Sequence, residues 1–127
     1  MTILYLMPIL FPSFVYSQEN SKSTEKLPFA RVVSSDEINN YFSLDLEQLP
    51  GFFERAYLLD LIFADSKLVI SDSRISGTSL EVFSNKINDK KLVLESLETY
   101  LEKALHAGKT SSPSQKEELM KKFDKYR

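Results

Sequence analysis

The stretch HAGKT, residues 106–110, holds the side chains in this sequence that most suggest chemistry. It joins the single histidine of the chain, His106, to a Gly-Lys-Thr sequence of the kind that closes a phosphate-binding loop. Such a loop needs a second glycine five residues earlier, where this chain has Lys103. The stretch also continues a helical pattern, in which backbone amides are already hydrogen-bonded. The sequence therefore predicts a helix end at Gly108, with His106 and Lys109 at the negative end of the helix dipole.

Three aspartates flank the most apolar segment of the chain and form an alternative acidic site: Asp60, Asp65 and Asp72. Paired carboxylates can perform acid–base catalysis or hold a divalent ion. The same residues also suit structural roles, with Asp60 on the wet side of a helix, Asp65 ending it and Asp72 in a turn. The structural interpretation is preferred, so the sequence predicts no catalytic residue, no metal site and no cofactor.

Composition narrows the chemistry further. The chain has no cysteine, which removes disulfides, thiolate nucleophiles and iron–sulfur clusters, and one histidine cannot build a multi-histidine metal centre. A Ser-His-Asp triad lacks the G-x-S-x-G elbow. A calcium loop starting at Asp72 fails because Arg74 and Phe83 occupy positions that require oxygen ligands. A net charge of -2 offers no concentrated basic face, so no nucleic-acid partner is expected.

The beginning of the chain differs in composition from the rest. Residues 1–17 contain no ionisable side chain, and the first charge is Glu19. The run is shorter than the roughly 20 residues of a transmembrane helix, and Val15 and Ser17 suit cleavage after position 17. We therefore expect a signal peptide over residues 1–17, a flexible spacer over 18–26, a secreted or periplasmic protein, and no membrane span after processing. An uncleaved anchor and a buried first strand remain the alternatives.

The elements that would position these residues follow from hydrophobic pattern and turn chemistry. Residues 27–33 suit a short strand, and serines before Asp36 and Glu37 predict a helix over residues 36–42. Residues 52–64 predict a mostly apolar central helix after Pro50. Residues 67–71 and 79–84 have strand character and predict a β-hairpin, with Gly77 supplying a positive φ in the turn.

The last third of the chain is predicted to be helical. Apolar residues recur at three- and four-residue spacings up to Gly108, and Ser112 with Gln115 forms a capping box that starts another helix. Segment 109–127 carries six basic and three acidic residues. Its apolar stripe either docks on the domain or binds a partner. The stripe consists of Leu119, Met120, Phe123 and Tyr126.

Taken together, the patterns predict an α+β fold: a small helical domain with a central β-hairpin, a possible third strand and about four helices. The domain would span residues 27–108 and be followed by the amphipathic helix of 109–127. By elimination, the predicted function is a small exported, non-catalytic binding protein of the bacterial cell envelope, which binds through the edge of the hairpin or through the C-terminal helix. Its partner would be a protein, an envelope polymer or a second copy of the chain. A carboxylate-dependent hydrolase, with or without a divalent ion, is the alternative.

Overall fold

The computed structural model describes residues 28–127. The predicted signal peptide and spacer lie outside the described residues. Two 3₁₀ turns, Leu46–Gln48 and Asp124–Tyr126, accompany the regular elements. In chain order these elements are β1 (Ala30–Ser35), β2 (Asn39–Asp45), α1 (Phe52–Phe63), β3 (Val69–Ile70), β4 (Ser79–Asn85), α2 (Lys90–Thr110) and α3 (Pro113–Lys122).

The strands form one antiparallel sheet in the order β1-β2-β4-β3, which confirms the α+β class. The central pair is β2 and β4, seven residues each, with Phe42 opposite Val82. The hairpin partners predicted from residues 67–71 and 79–84 do pair, with Val69 opposite Phe83. However, β3 has only two residues and lies at the edge, so this hairpin is not the centre of the fold. The third strand expected near residues 27–33 is present as β1.

The helix predicted over residues 36–42 is wrong. Asp36 does cap backbone amides, as its position suggested, but its Oδ1 accepts from the N–H groups of Ile38 and Asn39 at 2.8 and 2.7 Å within a tight turn. Strand β2 then begins at Asn39 and buries every second residue. The described residues therefore contain three α-helices rather than about four.

All the core residues of the sheet lie on one face, which α1 and α2 cover. Alternate residues of β2 and β4, such as Phe42 and Val82, are fully buried there. Removing this apolar surface from water is the main favourable contribution to folding. The helices add their own buried residues to the cluster: Ala56, Leu58, Leu59 and Ile62 from α1, and Val93, Leu97, Leu101 and Ala104 from α2.

The first buried side chain of the described residues belongs to Phe29, immediately before β1. This side chain is fully buried, and its backbone N–H donates to Oε2 of Glu98 in α2 at 3.2 Å. Its carbonyl accepts from the N–H of Asp45 at 2.8 Å. Phe29 thus connects the start of β1 both to β2 and to helix α2.

Helix α2 does not end at Gly108, as the sequence predicted, but continues to Thr110. Neither Gly108 nor Gly77 adopts the positive φ expected for it. The helix ends where Ser111 becomes extended and its N–H bonds the Ala107 carbonyl at 2.9 Å. The predicted capping box of Ser112 then starts α3, so the boundary between the helices depends on this cap rather than on a glycine.

Segment 109–127 packs on the domain. Phe123 is 4% exposed, and its ring stacks on Phe63 of α1 at 6.2 Å between centroids. The carbonyl of Tyr126 accepts from the N–H of Ile75 at 2.8 Å, which ties the chain end to the connection before β4. Phe123 therefore belongs to the hydrophobic core, and Leu119 and Tyr126 pack against it.

Candidate functional site

The three candidate aspartates are not brought together. Oδ1 of Asp60 lies 3.3 Å from Nζ of Lys122 at the surface, and Oδ1 of Asp72 accepts from the N–H of Arg74 at 3.1 Å. Asp65 has separate partners of its own. Within residues 28–127 no group of three or more acidic, histidine or cysteine side chains could hold a metal ion. The acidic site expected under the hydrolase alternative is not assembled by this part of the chain.

Asp65 is instead a structural junction between α1, α2 and the approach to β3. Its side chain is 6% exposed, and its Oδ2 accepts from the Tyr100 hydroxyl at 2.7 Å. Its Oδ1 accepts from the Lys67 N–H at 3.0 Å. Burial alone would raise the pKa of Asp65, but these hydrogen bonds outweigh burial and hold the pKa below 3.8. An ionised carboxylate with both oxygens engaged is suited to holding elements together rather than to transferring protons.

The histidine of HAGKT lies on the exposed surface of α2, inside the helix. His106 lines an open groove of about 620 Å³ between α1 and α2, together with Tyr57 and Lys103. The backbone amides of the stretch lie within a helix, so it does not form a phosphate-binding loop. The groove holds no pair of nucleophile and base linked by a hydrogen bond among the described residues.

The predicted partner-binding stripe of α3 faces the domain. Phe123 is buried, while Leu119, Met120 and Tyr126 are half-buried. Rings of Phe63, Phe123 and Tyr126 pack against one another with centroids about 6 Å apart. These contacts are intramolecular and occupy Phe123 and part of Tyr126, while Leu119, Met120 and Tyr126 keep part of their surface exposed.

A surface that the sequence analysis did not identify lies on the opposite side of the sheet, away from the helices. We call it the outer face. Tyr41 of β2 and Phe83 of β4 are neighbours on it, with ring centroids 5.5 Å apart. Val69 of β3 lies opposite Phe83 and is 49% exposed. No helix among residues 28–127 covers these side chains.

The outer face has an apolar half and a polar half. The Tyr41–Phe83 pair belongs to the half next to the β1–β2 turn and the turn after β4. At those turns Ile38 is 62% and Ile87 is 88% exposed, and the turns are joined by a 2.8 Å hydrogen bond from the Lys86 N–H to the Ile38 carbonyl. The other half is polar and contains a depression of about 380 Å³, whose lining includes Arg31, Ser43, Asp45, Thr78 and Ser79.

Charges of opposite sign border the apolar half. The β1–β2 turn carries Asp36 and Glu37, and the turn after β4 leads into α2 with Lys86, Lys90 and Lys91. Hydrogen bonds, chiefly from Asn39, Tyr41 and Ile38, lower the pKa of Asp36 and keep it ionised. None of these five side chains forms an ion pair within 4.0 Å in the described part of the chain.

The outer face could have been found from the period-two alternation of NNYFSLD. Asn40, Phe42 and Leu44 point into the core, so Tyr41 must point out. The serines and acids before this segment favoured a helix start, which obscured the alternation. Once β2 is recognised as a strand, an aromatic residue on its solvent side becomes a candidate binding residue.

Residues 28–127 define a class: a two-layer α+β domain whose antiparallel sheet has helices on one face, while no described element covers the other. Its candidate site is the apolar half of that open face. No family model matches this chain, and neither does any curated protein or solved structure. Within residues 28–127, no helix combines the length and apolarity needed to cross a membrane.

Proposed function

We propose that the protein is a small exported, non-catalytic interaction module of the bacterial cell envelope, and that it binds a protein partner through the outer face. The observation that carries this proposal is the apolar row of Tyr41, Phe83 and Val69, which the helices leave uncovered. Contiguous exposed apolar surface beside charged residues is typical of protein interaction sites.

A protein partner suits the outer face better than an envelope polymer does. Val69 on the outer face, and Ile38 and Ile87 at the neighbouring turns, are exposed and offer no hydrogen-bonding groups to a polar polymer. An apolar surface on another protein would match them, because burying both apolar surfaces against each other stabilises the complex. The proposal also moves the binding surface away from the α3 stripe, because that stripe already packs on α1.

Export is supported by the composition of the N-terminal region. The seventeen leading residues carry no ionisable side chain, and Val15 and Ser17 suit a signal peptidase. Because the chain has no cysteine, it can fold in an oxidising compartment without forming disulfides. A secreted or periplasmic location follows from this proposal.

The hydrolase alternative has no gathered site in residues 28–127. Asp60 pairs with a lysine, Asp65 is enclosed by donors, and Asp72 caps a turn. Each carboxylate has a structural role that accounts for its position.

The proposal can be tested by photo-crosslinking in bacteria that express the full chain. A photo-reactive amino acid replaces Val69 on the outer face or, as a control on the helical side, exposed His106. We expect a protein adduct from position 69 and none from position 106. Fractionation and N-terminal sequencing of the same cells should show an envelope protein that begins at Gln18. Equal adducts from both positions, or none from position 69, would contradict the binding role, and an intact N-terminus in the cytoplasm would contradict export.

A further inference from the structure

We propose that the partner on the outer face is a second copy of this chain, so that two sheets pack face to face in a symmetric dimer. This inference rests on the proposed interaction role of the outer face and names its occupant. The arrangement of charge around the apolar half carries it.

The acidic and basic borders lie on opposite sides of a line between β2 and β4. Asp36 and Glu37 precede β2, whereas Lys86, Lys90 and Lys91 follow β4. The two strands are neighbours, and their residues Asn39 and Asn85 are paired at this end of the sheet. The apolar half therefore has a negative border next to a positive one.

A two-fold axis parallel to the strands, between β2 and β4, makes this surface complementary to itself. Rotation about that axis places β2 against β4 of the partner and keeps the same ends together. Tyr41 then faces the partner's Phe83, and Glu37 faces the basic turn that contains the partner's Lys86. Both contacts occur twice, as an isologous interface requires. Two sheets stacked in this way form a sandwich with a shared apolar layer about 10 Å thick.

The start of α2 is already balanced within its own chain. Lys90 and Lys91 occupy its first turn, but the side chain of Asp89 caps the helix and accepts from the Lys91 N–H at 3.2 Å. Asp36 is engaged in the same way, by the N–H groups of Ile38 and Asn39 and by the Tyr41 hydroxyl. The charges that the two-fold arrangement brings face to face are therefore chiefly Glu37 and Lys86.

The sheet edges are less suitable for association than the face. Strand β1 has an irregularity between Val32 and Ser34 that interrupts its pairing pattern, and β3 at the other edge has only two residues. Both features are typical of edges that resist the addition of another strand. Face-to-face packing therefore uses the surface that the fold leaves open.

Charge reversal tests the dimer. One variant carries Lys86→Glu and Lys90→Glu, and a second carries Glu37→Lys. The native chain and both variants are expressed from the full sequence and purified in the form in which cells yield them. Their association is measured by analytical ultracentrifugation. We expect the native chain to dimerise and each variant to dissociate at least tenfold more readily. An equimolar mixture of the two variants should recover the dimer, because each supplies the charge that the other lacks.

Thermal unfolding of the same variants distinguishes a loss of association from a loss of folding. Replacing Lys90 by glutamate places a favourable charge in the first turn of α2, so the doubly substituted variant should unfold at an equal or higher temperature. Ile87→Lys should also weaken the dimer, and Leu92→Lys should not. Leu92 is a matched control, 59% exposed in a groove with Thr99 and Tyr100 on the helical side.

A native chain that remains monomeric, or a mixture of the variants that associates no better than either alone, would overturn the dimer. The proposed function fails separately. If position 69 crosslinks to a different protein while the chain is monomeric, the interaction role stands and only the identity of the partner is wrong. If position 69 gives no adduct, both proposals fail.

Discussion

Gly108 of α2 lies against the side chain of Glu54 of α1. A Cβ atom at position 108 would be 2.8 Å from Cδ and 2.9 Å from Cγ of Glu54, closer than real Cβ atoms approach such groups. The glycine therefore leaves room for the Glu54 side chain in its present conformation, although it lies inside α2, where glycine costs about 1 kcal/mol relative to alanine.

The two residues should be coupled in their effects on stability. Gly108→Ala should lower the free energy of unfolding when Glu54 is present. In a Glu54→Ala background the same change should raise it by about 0.5–1 kcal/mol, the ordinary gain in helix propensity. Denaturant unfolding of the four proteins in a double-mutant cycle measures the difference. Equal effects in both backgrounds would show that Glu54 moves aside without cost.

Removal of the Tyr100 hydroxyl should destabilise the fold at neutral pH. In Tyr100→Phe, buried Asp65 loses a 2.7 Å hydrogen bond, and a bond to a charged group contributes about 1.5–3 kcal/mol. Denaturant unfolding measures the change in free energy. Tyr57→Phe is the control, since the Tyr57 side chain is half-exposed in an open groove. An equal loss in both variants would contradict the role of Asp65.

The same pair should make stability depend on acid. The pKa of Asp65 is lowered in the fold, so its contribution is fully present above the unfolded pKa, about 3.9, and is lost as the pH falls through the folded value. The difference in unfolding free energy between the native chain and Tyr100→Phe should therefore shrink below about pH 4. Urea unfolding between pH 7 and pH 2.5 measures it, and a constant difference would count against this linkage.

An alkaline effect of opposite sign is expected from Tyr100 itself. Burial and then the hydrogen bond to Asp65 raise the pKa of Tyr100 to about 12. A raised folded pKa contributes stability that is complete below the unfolded value, about 10, and is lost as the pH rises through 12. The native chain should lose stability more steeply than Tyr100→Phe between these values. Unfolding followed by circular dichroism tests this, and parallel curves would contradict it.

The C-terminal segment should be essential to stability. Phe123→Ala removes a buried ring that stacks on Phe63, and such truncations typically cost 3–5 kcal/mol. The exposed neighbour Lys121→Ala should change stability by less than about 0.5 kcal/mol. Thermal unfolding compares the two variants. A Phe123→Ala protein that melts at the native temperature would show that segment 109–127 is an independent appendage.

The parts of the fold that follow from local pattern could be predicted. Helix α1 has an almost continuous apolar surface bounded by Pro50 and Asp65, and α3 begins at the capping box of Ser112 as expected. Strand β4 alternates buried and exposed residues, which its sequence shows directly. In these segments a single local signal agrees with the tertiary structure.

The remaining elements depend on contacts that a linear pattern does not show. Asp36 has the same chemistry whether it caps a helix or closes a turn, and the pairing of β2 with β4 decides the outcome. Gly108 had the residue type of a helix end, but α2 continues through it to Thr110, and the side chain of Glu54 from another helix lies against it. The sequence analysis missed the outer face because it predicted a helix where β2 lies, and this face exists only when β2 is a strand.

The position of Phe29 limits how far the described domain can be shortened from its N-terminal side. Because this residue is held by Glu98 and Asp45, a peptidase cut after Ser17 would leave every described contact intact. Trimming through Phe29 would remove a fully buried side chain and open the described core beside β1. The proposed cleavage and the assembly of the described core would therefore involve different residues.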